Sequence, residues 1–167
     1  TRFTEVSWGS EMCIRDRCKE PEPLFYENFE SISNTGYDVY VNLTDWYNLN
    51  QTGGEEKWEA REYSSNKYAQ ISAYNTAETT MVAWLITPEI DLNGSNNEVL
   101  TFDTKDAYNN GDALEVFISN DFSGNNVGSA TWNKLDVQIA KGSNSGYASS
   151  FTSCLLYTSD AADECSC

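Results

Sequence analysis

The chain has 167 residues, 26 Asp and Glu against 10 Lys and Arg, and a formal net charge of −16. That acidity repels nucleic-acid phosphates and anionic lipid surfaces and argues against partners of either kind. Histidine is absent, which removes Ser-His-Asp and Cys-His nucleophilic machinery and every zinc ligand set that uses an imidazole.

The first seventeen residues do not read like the body of the chain. Glu11-Met12-Cys13-Ile14-Arg15-Asp16 back-translates as GAG ATG TGT ATA AGA GAC, with AG opening Arg17. One frame over, the reverse complement reads TGT CTC TTA TAC ACA TCT, which is Cys154-Leu155-Leu156-Tyr157-Thr158-Ser159. Two ends of a protein have no reason to encode one DNA element on opposite strands. The element resembles the mosaic end of transposase-based sequencing libraries, and Asp160–Glu164 continues as a library adapter would. Residues 1–17 and 154–167 are therefore expected to be adapter-derived rather than native, and are set aside as fusion scars are. Residues 18–153 then carry seven Lys and Arg against twenty Asp and Glu, a formal charge of −13. No apolar run there is long enough to span a bilayer, so no membrane insertion is expected. Of five cysteines only Cys18 remains, so no even-count disulfide framework exists.

Residues 18–23, CKEPEP, are charged and carry two prolines, the composition of a linker. Cys18 is most simply a linker cysteine; a lipid-anchored one is the alternative. From Leu24 the pattern is β. "LFYENFE" alternates, and "KWEAREY" sets Trp58 and Ala60 against charged neighbours. "KYAQISAY" places Ala69, Ile71 and Ala73 on one face, and "TMVAWLIT" is a continuous apolar run that reads as a strand buried on both sides. "EVLTFDT" aligns Leu100 with Phe102, and "DALEVFIS" aligns Leu114, Val116 and Ile118. The turn signal "NNGD" between them predicts a hairpin. "WNKLDVQIA" repeats the alternation through Leu135, Val137 and Ile139. Gly, Asn and Ser clusters separate the runs, and no helical period persists. Residues 24–153 are thus one all-β unit, an antiparallel sandwich or barrel.

Carboxylates, amides and aromatics are the chemistry left. Paired carboxylates could hydrolyse glycosides, but twenty acids in one domain supply many accidental pairs, and no catalytic residue is assigned. Oxygen-rich sites suit calcium, yet no EF-hand spacing is present and an isolated acid is first of all a solvated or turn-capping group. Flat rings on a β surface stack on sugars. Trp58 and Trp84 sit in strands and are expected in the core, whereas Tyr108 sits beside a loop and Trp46 and Trp132 are less determined by the pattern; these three are the candidate ligand-binding residues.

The order of motifs carries further information. "LFYENFES", "DWYN", "NKYAQISAYN", "AWLITPEIDL", "LTFDTKDAYNNGDALEVFISNDFSG" and "TWNKL" succeed one another over Leu24–Ser153. The run resembles the choice-of-anchor J domain, a relative of the cleaved-adhesin domains of secreted bacterial proteins. The resemblance implies a jelly-roll β-sandwich, secreted or at the cell surface, and not an enzyme, with carbohydrate or a host or surface protein as partner. It also implies a structural calcium near the acid that ends the first strand, which transfers to Glu30 and, less directly, to Asp103. A structural accessory domain of a secreted hydrolase is the alternative reading, and a carboxylate-based glycosidase a third. Members of the family continue beyond "GYASSFTS", so the domain is expected to be C-terminally truncated, with bare sheet edges and a poorly soluble or partly unfolded chain.

Overall fold

A computed structural model describes residues 2–10, 22–108, 111–124 and 126–157, the first of these segments as backbone only. Among the described residues all regular structure is β apart from one short 3-10 turn at Val127–Ser129, and every strand pair is antiparallel. Among the described residues no helix is long and apolar enough to cross a membrane.

The strands are β1 (Arg2–Ser10), β2 (Phe25–Glu27), β3 (Tyr47–Asn50), β4 (Glu59–Tyr63), β5 (Asn66–Gln70), β6 (Ala83–Ile86), β7 (Glu98–Lys105), β8 (Phe117–Ile118), β9 (Asn133–Lys134) and β10 (Thr152–Tyr157). Six of them form one sheet in the order β10-β7-β1-β5-β4, with β2 added against β1. Two ribbons, β3–β6 and β8–β9, complete the structure. β7 alternates buried and half-buried residues along its whole length, as a strand with one face on the core must. β4 and β5 form a tight hairpin, with Tyr63 opposite Asn66, and its two turn residues, Ser64 and Ser65, both have positive φ, the backbone that a two-residue hairpin turn requires.

Two apolar clusters hold the strands. The first gathers Phe29, Ile32, Val41, Trp58, Ala60 and Ala69. The second centres on Leu100, Phe102 and Cys154, with Leu135, Val137 and Ile139 packed against it. The alternation read in "WNKLDVQIA" is therefore real, although only Asn133–Lys134 is regular strand. Beyond it the backbone continues the contact through the Leu135 amide, which donates to the Val116 carbonyl at 2.9 Å.

Two expectations change, and one strand is unforeseen. β7 does not form a hairpin with the "DALEVFIS" strand: it lies between β1 and β10, while Phe117–Ile118 pairs with Asn133–Lys134. "NNGD" is a turn signal, and Gly111 does take a positive φ of 72°, but its amide donates to the Gly142 carbonyl and turns the chain away from β7. "AWLI" is not buried on both sides: all four residues are half-buried, in a two-stranded ribbon. Tyr47–Asn50 is a strand that the sequence pattern does not single out.

β1 and β10 flank β7, with Trp8 opposite Leu100 on one side and Leu156 opposite Leu100 on the other. Main-chain pairing needs no particular sequence. β10 also sets Cys154 inward, 2 % exposed, and leaves Leu155 57 % exposed.

Candidate functional site

The β3–β6 ribbon has two unlike faces. Directly opposed residues share a face in an antiparallel pair, so Asn48 goes with Leu85 and Asn50 with Ala83, while Tyr47 goes with Ile86 and Leu49 with Trp84. Ala83 and Leu85 pack on the first apolar cluster. On the same side the Asn48 amide donates to the Val41 and Trp58 carbonyls at 3.2 and 2.7 Å and accepts from the Trp58 amide at 3.0 Å. Tyr47 and Trp84 are thereby turned to the opposite side.

The β8–β9 ribbon meets them there. Phe117 lies opposite Lys134, and Trp132, two residues before Lys134, shares that side by alternation. Five rings from separate segments come together. The Trp84 and Trp132 centroids are 4.8 Å apart, with Phe117 5.4 Å from Trp84. Phe122 stands 5.4 Å from Trp132 and 5.3 Å from Tyr47, edge-on to the latter. All five residues are half-buried, and the ring planes step by about 40° from one to the next around Trp84 and Trp132. The result is a continuous stepped aromatic surface.

Both indole N–H groups are hydrogen-bonded: Trp84 Nε1 donates to Gln51 Oε1 at 2.8 Å and Trp132 Nε1 to the Val127 carbonyl at 2.9 Å. Polar groups border the rings. Lys134 Nζ and Glu115 Oε1 form an exposed ion pair at 2.6 Å. Asp121, next to Phe122, accepts from the Thr131 amide and from Ser119 Oγ. The Thr131 amide, followed by the Ser119 hydroxyl, holds the Asp121 carboxyl below its usual range, so it is an anionic acceptor at neutral pH. Oriented rings with carboxylate, amide and ammonium groups at their edge can stack an apolar face and hydrogen-bond hydroxyls around it.

The candidate residues are not brought together. Trp132 is in the aromatic surface. Trp46 packs against Phe25 and Phe29 at 6.0 and 5.8 Å, and lines, with Tyr40, Tyr47 and Lys57, a shallow depression of about 280 Å³. Tyr108 is elsewhere, in a T-shaped pair with Tyr147 at 5.5 Å, the two being 60 % and 68 % exposed. That pair rests on a clasp between two loops. The Tyr108 amide donates to the Gly146 carbonyl, the Ala148 amide donates to the Asp106 carbonyl, and the buried Asp106 carboxylate accepts from Asn144 Nδ2 at 2.9 Å. Trp58 is in the core as expected, 4 % exposed; Trp84 is not. Residue type and strand membership point Trp84 inward, and Phe117, Phe122 and Tyr47 stand out by neither criterion. The available signal is the alternation within "AWLI", which puts Trp84 on the side away from Ala83 and Leu85.

The two acids expected at calcium are engaged separately. Glu30 Oε1 accepts from the Lys67 amide at 2.8 Å, and Asp103 Oδ1 from Ser153 Oγ at 2.6 Å. Among the described residues no group of three or more His, Cys, Asp or Glu is placed to hold a metal ion.

In comparison with known proteins, the chain matches no family model, no curated protein and no solved structure.

Proposed function

We propose that the chain is a non-catalytic carbohydrate-binding module of a secreted or surface bacterial protein, built as a jelly-roll-like sandwich of the choice-of-anchor J type and flanked by translated adapter. The observation that carries the reading is the stepped aromatic surface of Tyr47, Trp84, Phe117, Phe122 and Trp132, whose rings come from separate stretches of chain and whose two indoles are oriented by hydrogen bonds. Two apolar clusters and a ribbon with one face on the core support the sandwich. Stacking on one ring is worth ~1–3 kcal/mol by analogy with nucleobases, so a saccharide covering two rings has enough stabilisation for a weak, specific complex.

The test is a glycan array followed by calorimetry on the best ligand. Trp132→Ala and Trp84→Ala should each weaken binding by roughly 5- to 150-fold, the equivalent of the same ~1–3 kcal/mol, and Tyr108→Ala should leave it unchanged. Equal loss at Tyr108, or no glycan bound by a folded chain, removes the reading. The calcium implied at Glu30 is checked on its own: a melting temperature raised by calcium, with the rise abolished in Glu30→Gln, supports it, and no rise removes it.

A further inference from the structure

The six-stranded sheet ends in two edges of opposite character. At one edge, the start of β4 is covered by the 36–41 segment: the Gly36 amide donates to the Ala60 carbonyl, the Ala60 amide to the Val39 carbonyl, and Tyr40 bridges Glu59; Arg61 and Glu62 follow with their charges. At the other edge β10, Thr-Ser-Cys-Leu-Leu-Tyr, has no charge, and among the described residues it pairs only with β7. The uncharged stretch is long: no charged residue occurs between Lys141 and Asp160, in a chain of net charge −16. Charged side chains are what keep an exposed edge from pairing with another chain. β4 has them and a covering segment besides, and β10 has neither among the described residues. β10 also turns Leu155 and Tyr157 outward, 57 % and 36 % exposed, while Cys154 is buried and Leu156 packs inward on Leu100 and Phe102.

We propose that β10 pairs antiparallel with β10 of a second copy of this chain, joining two six-stranded sheets across a two-fold axis. A contact of β10 with β4 would have to displace the 36–41 segment, set an uncharged strand against Arg61 and Glu62, and leave a free edge at each end, so copies would add without limit. The β10–β10 contact uses the uncharged edge twice, closes at two copies, and leaves the charged β4 edges outermost. Outward-facing residues of the two strands become cross-strand neighbours, which adds apolar contact to the main-chain bonds. The inference concerns the chain as it stands, whatever the origin of residues 154–167, and is independent of any glycan.

The experiment is light scattering coupled to size exclusion on the full chain between about 1 and 100 µM. The expected result is a doubling of mass with concentration and no larger species. Dimerisation should strengthen with salt, because two chains of net charge −16 repel each other and screening shortens the range of that repulsion from about 10 Å at 0.1 M to about 3 Å at 1 M. Leu155→Lys, at an outward position, should give monomer at every concentration with an unchanged circular-dichroism spectrum. Should that variant fail to fold, hydrogen exchange on the unaltered chain decides: β10 amides not bonded to β7 are slowed at 100 µM and not at 1 µM. A monomer throughout, growth beyond two copies, a dimeric folded Leu155→Lys, or concentration-independent exchange overturns the proposal.

Discussion

Thr104 is fully buried, and its hydroxyl does two jobs at once. Oγ1 accepts from the buried Ala140 amide at 2.8 Å and donates to the Thr152 carbonyl at 3.3 Å, tying the chain on both sides of the 141–151 loop to β7. Thr104→Val keeps the shape and removes both bonds. The Ala140 donor, 6 % exposed as a residue, is then orphaned, at a cost of ~1–3 kcal/mol. The extra apolar methyl returns up to ~0.8 kcal/mol, and loss of the bond to Thr152 adds to the cost, so the net destabilisation is about 2 kcal/mol. Thr104→Ser keeps both bonds and loses one methyl, about 1 kcal/mol. At roughly 2–4 °C per kcal/mol for a chain of this size, the valine variant should melt roughly 4–8 °C below the parent and the serine variant between the two. Tryptophan fluorescence in a thermal or urea melt reads the order, and hydrogen exchange at the Ala140 amide, faster in valine and unchanged in serine, reads the cause. If Thr104 served only packing, valine would be neutral or stabilising and serine the worse of the two. That order, with Ala140 exchange unmoved, would refute the hydrogen-bond account.

Three further outcomes are expected. Phe29 has no exposed surface and packs edge-on to Trp46, so Phe29→Ala should cost ~3–5 kcal/mol, read as a lower urea midpoint; a loss under ~1 kcal/mol would mean that the first cluster collapses around the gap. The Asn50 side chain, then the Glu56 amide, hold the Glu78 carboxyl below its ordinary 4.5. Because the folded value is depressed, this hold on the 50–56 loop is present above pH 4.5 and is lost as pH falls through the folded value; the Asn50 side-chain amide resonance should titrate there, and not in Glu78→Gln. Burial pushes the Cys154 thiol from 9.0 up to about 11. Its contribution is complete below pH 9.0 and lost as pH rises through about 11, and at about pH 8 site-resolved alkylation should find Cys154 far slower than an exposed thiol; equal rates would place β10 off the sheet.

Much of the β character is legible because a half-buried strand writes its two faces as alternation. Leu100 and Phe102 are core residues as the pattern implies, and Leu135, Val137 and Ile139 pack inward even where hydrogen-bonded strand is interrupted. Pairing is not legible. "NNGD" marks a turn truthfully, but a turn fixes where the chain bends and not which strand accepts it, and Gly111 bonds to Gly142 instead of closing a hairpin. The site is half legible for a related reason. Trp132 is a candidate because the pattern does not commit it to the core, while Trp84 reads as core because a large ring in an apolar run is usually there. Its side of the ribbon depends on the pairing of β3 with β6, and β3 is short and polar at Asn48 and Asn50. Tyr108 and Tyr147 meet only because two loops are clasped through Asp106 and Asn144, a contact across 38 residues that no local pattern encodes.

Asn48 has a consequence beyond satisfying a backbone. With its amide on the Trp58 carbonyl and its carbonyl on the Trp58 amide, it behaves as an indexing pin for the β3–β6 ribbon. Strand side chains repeat every two residues, so a slip of one position would turn Tyr47 and Trp84 toward the core and Leu85 toward solvent. The stepped aromatic surface therefore owes its existence to an amide on the opposite side of the ribbon, and Asn48→Leu should erase the surface while leaving every ring in the sequence.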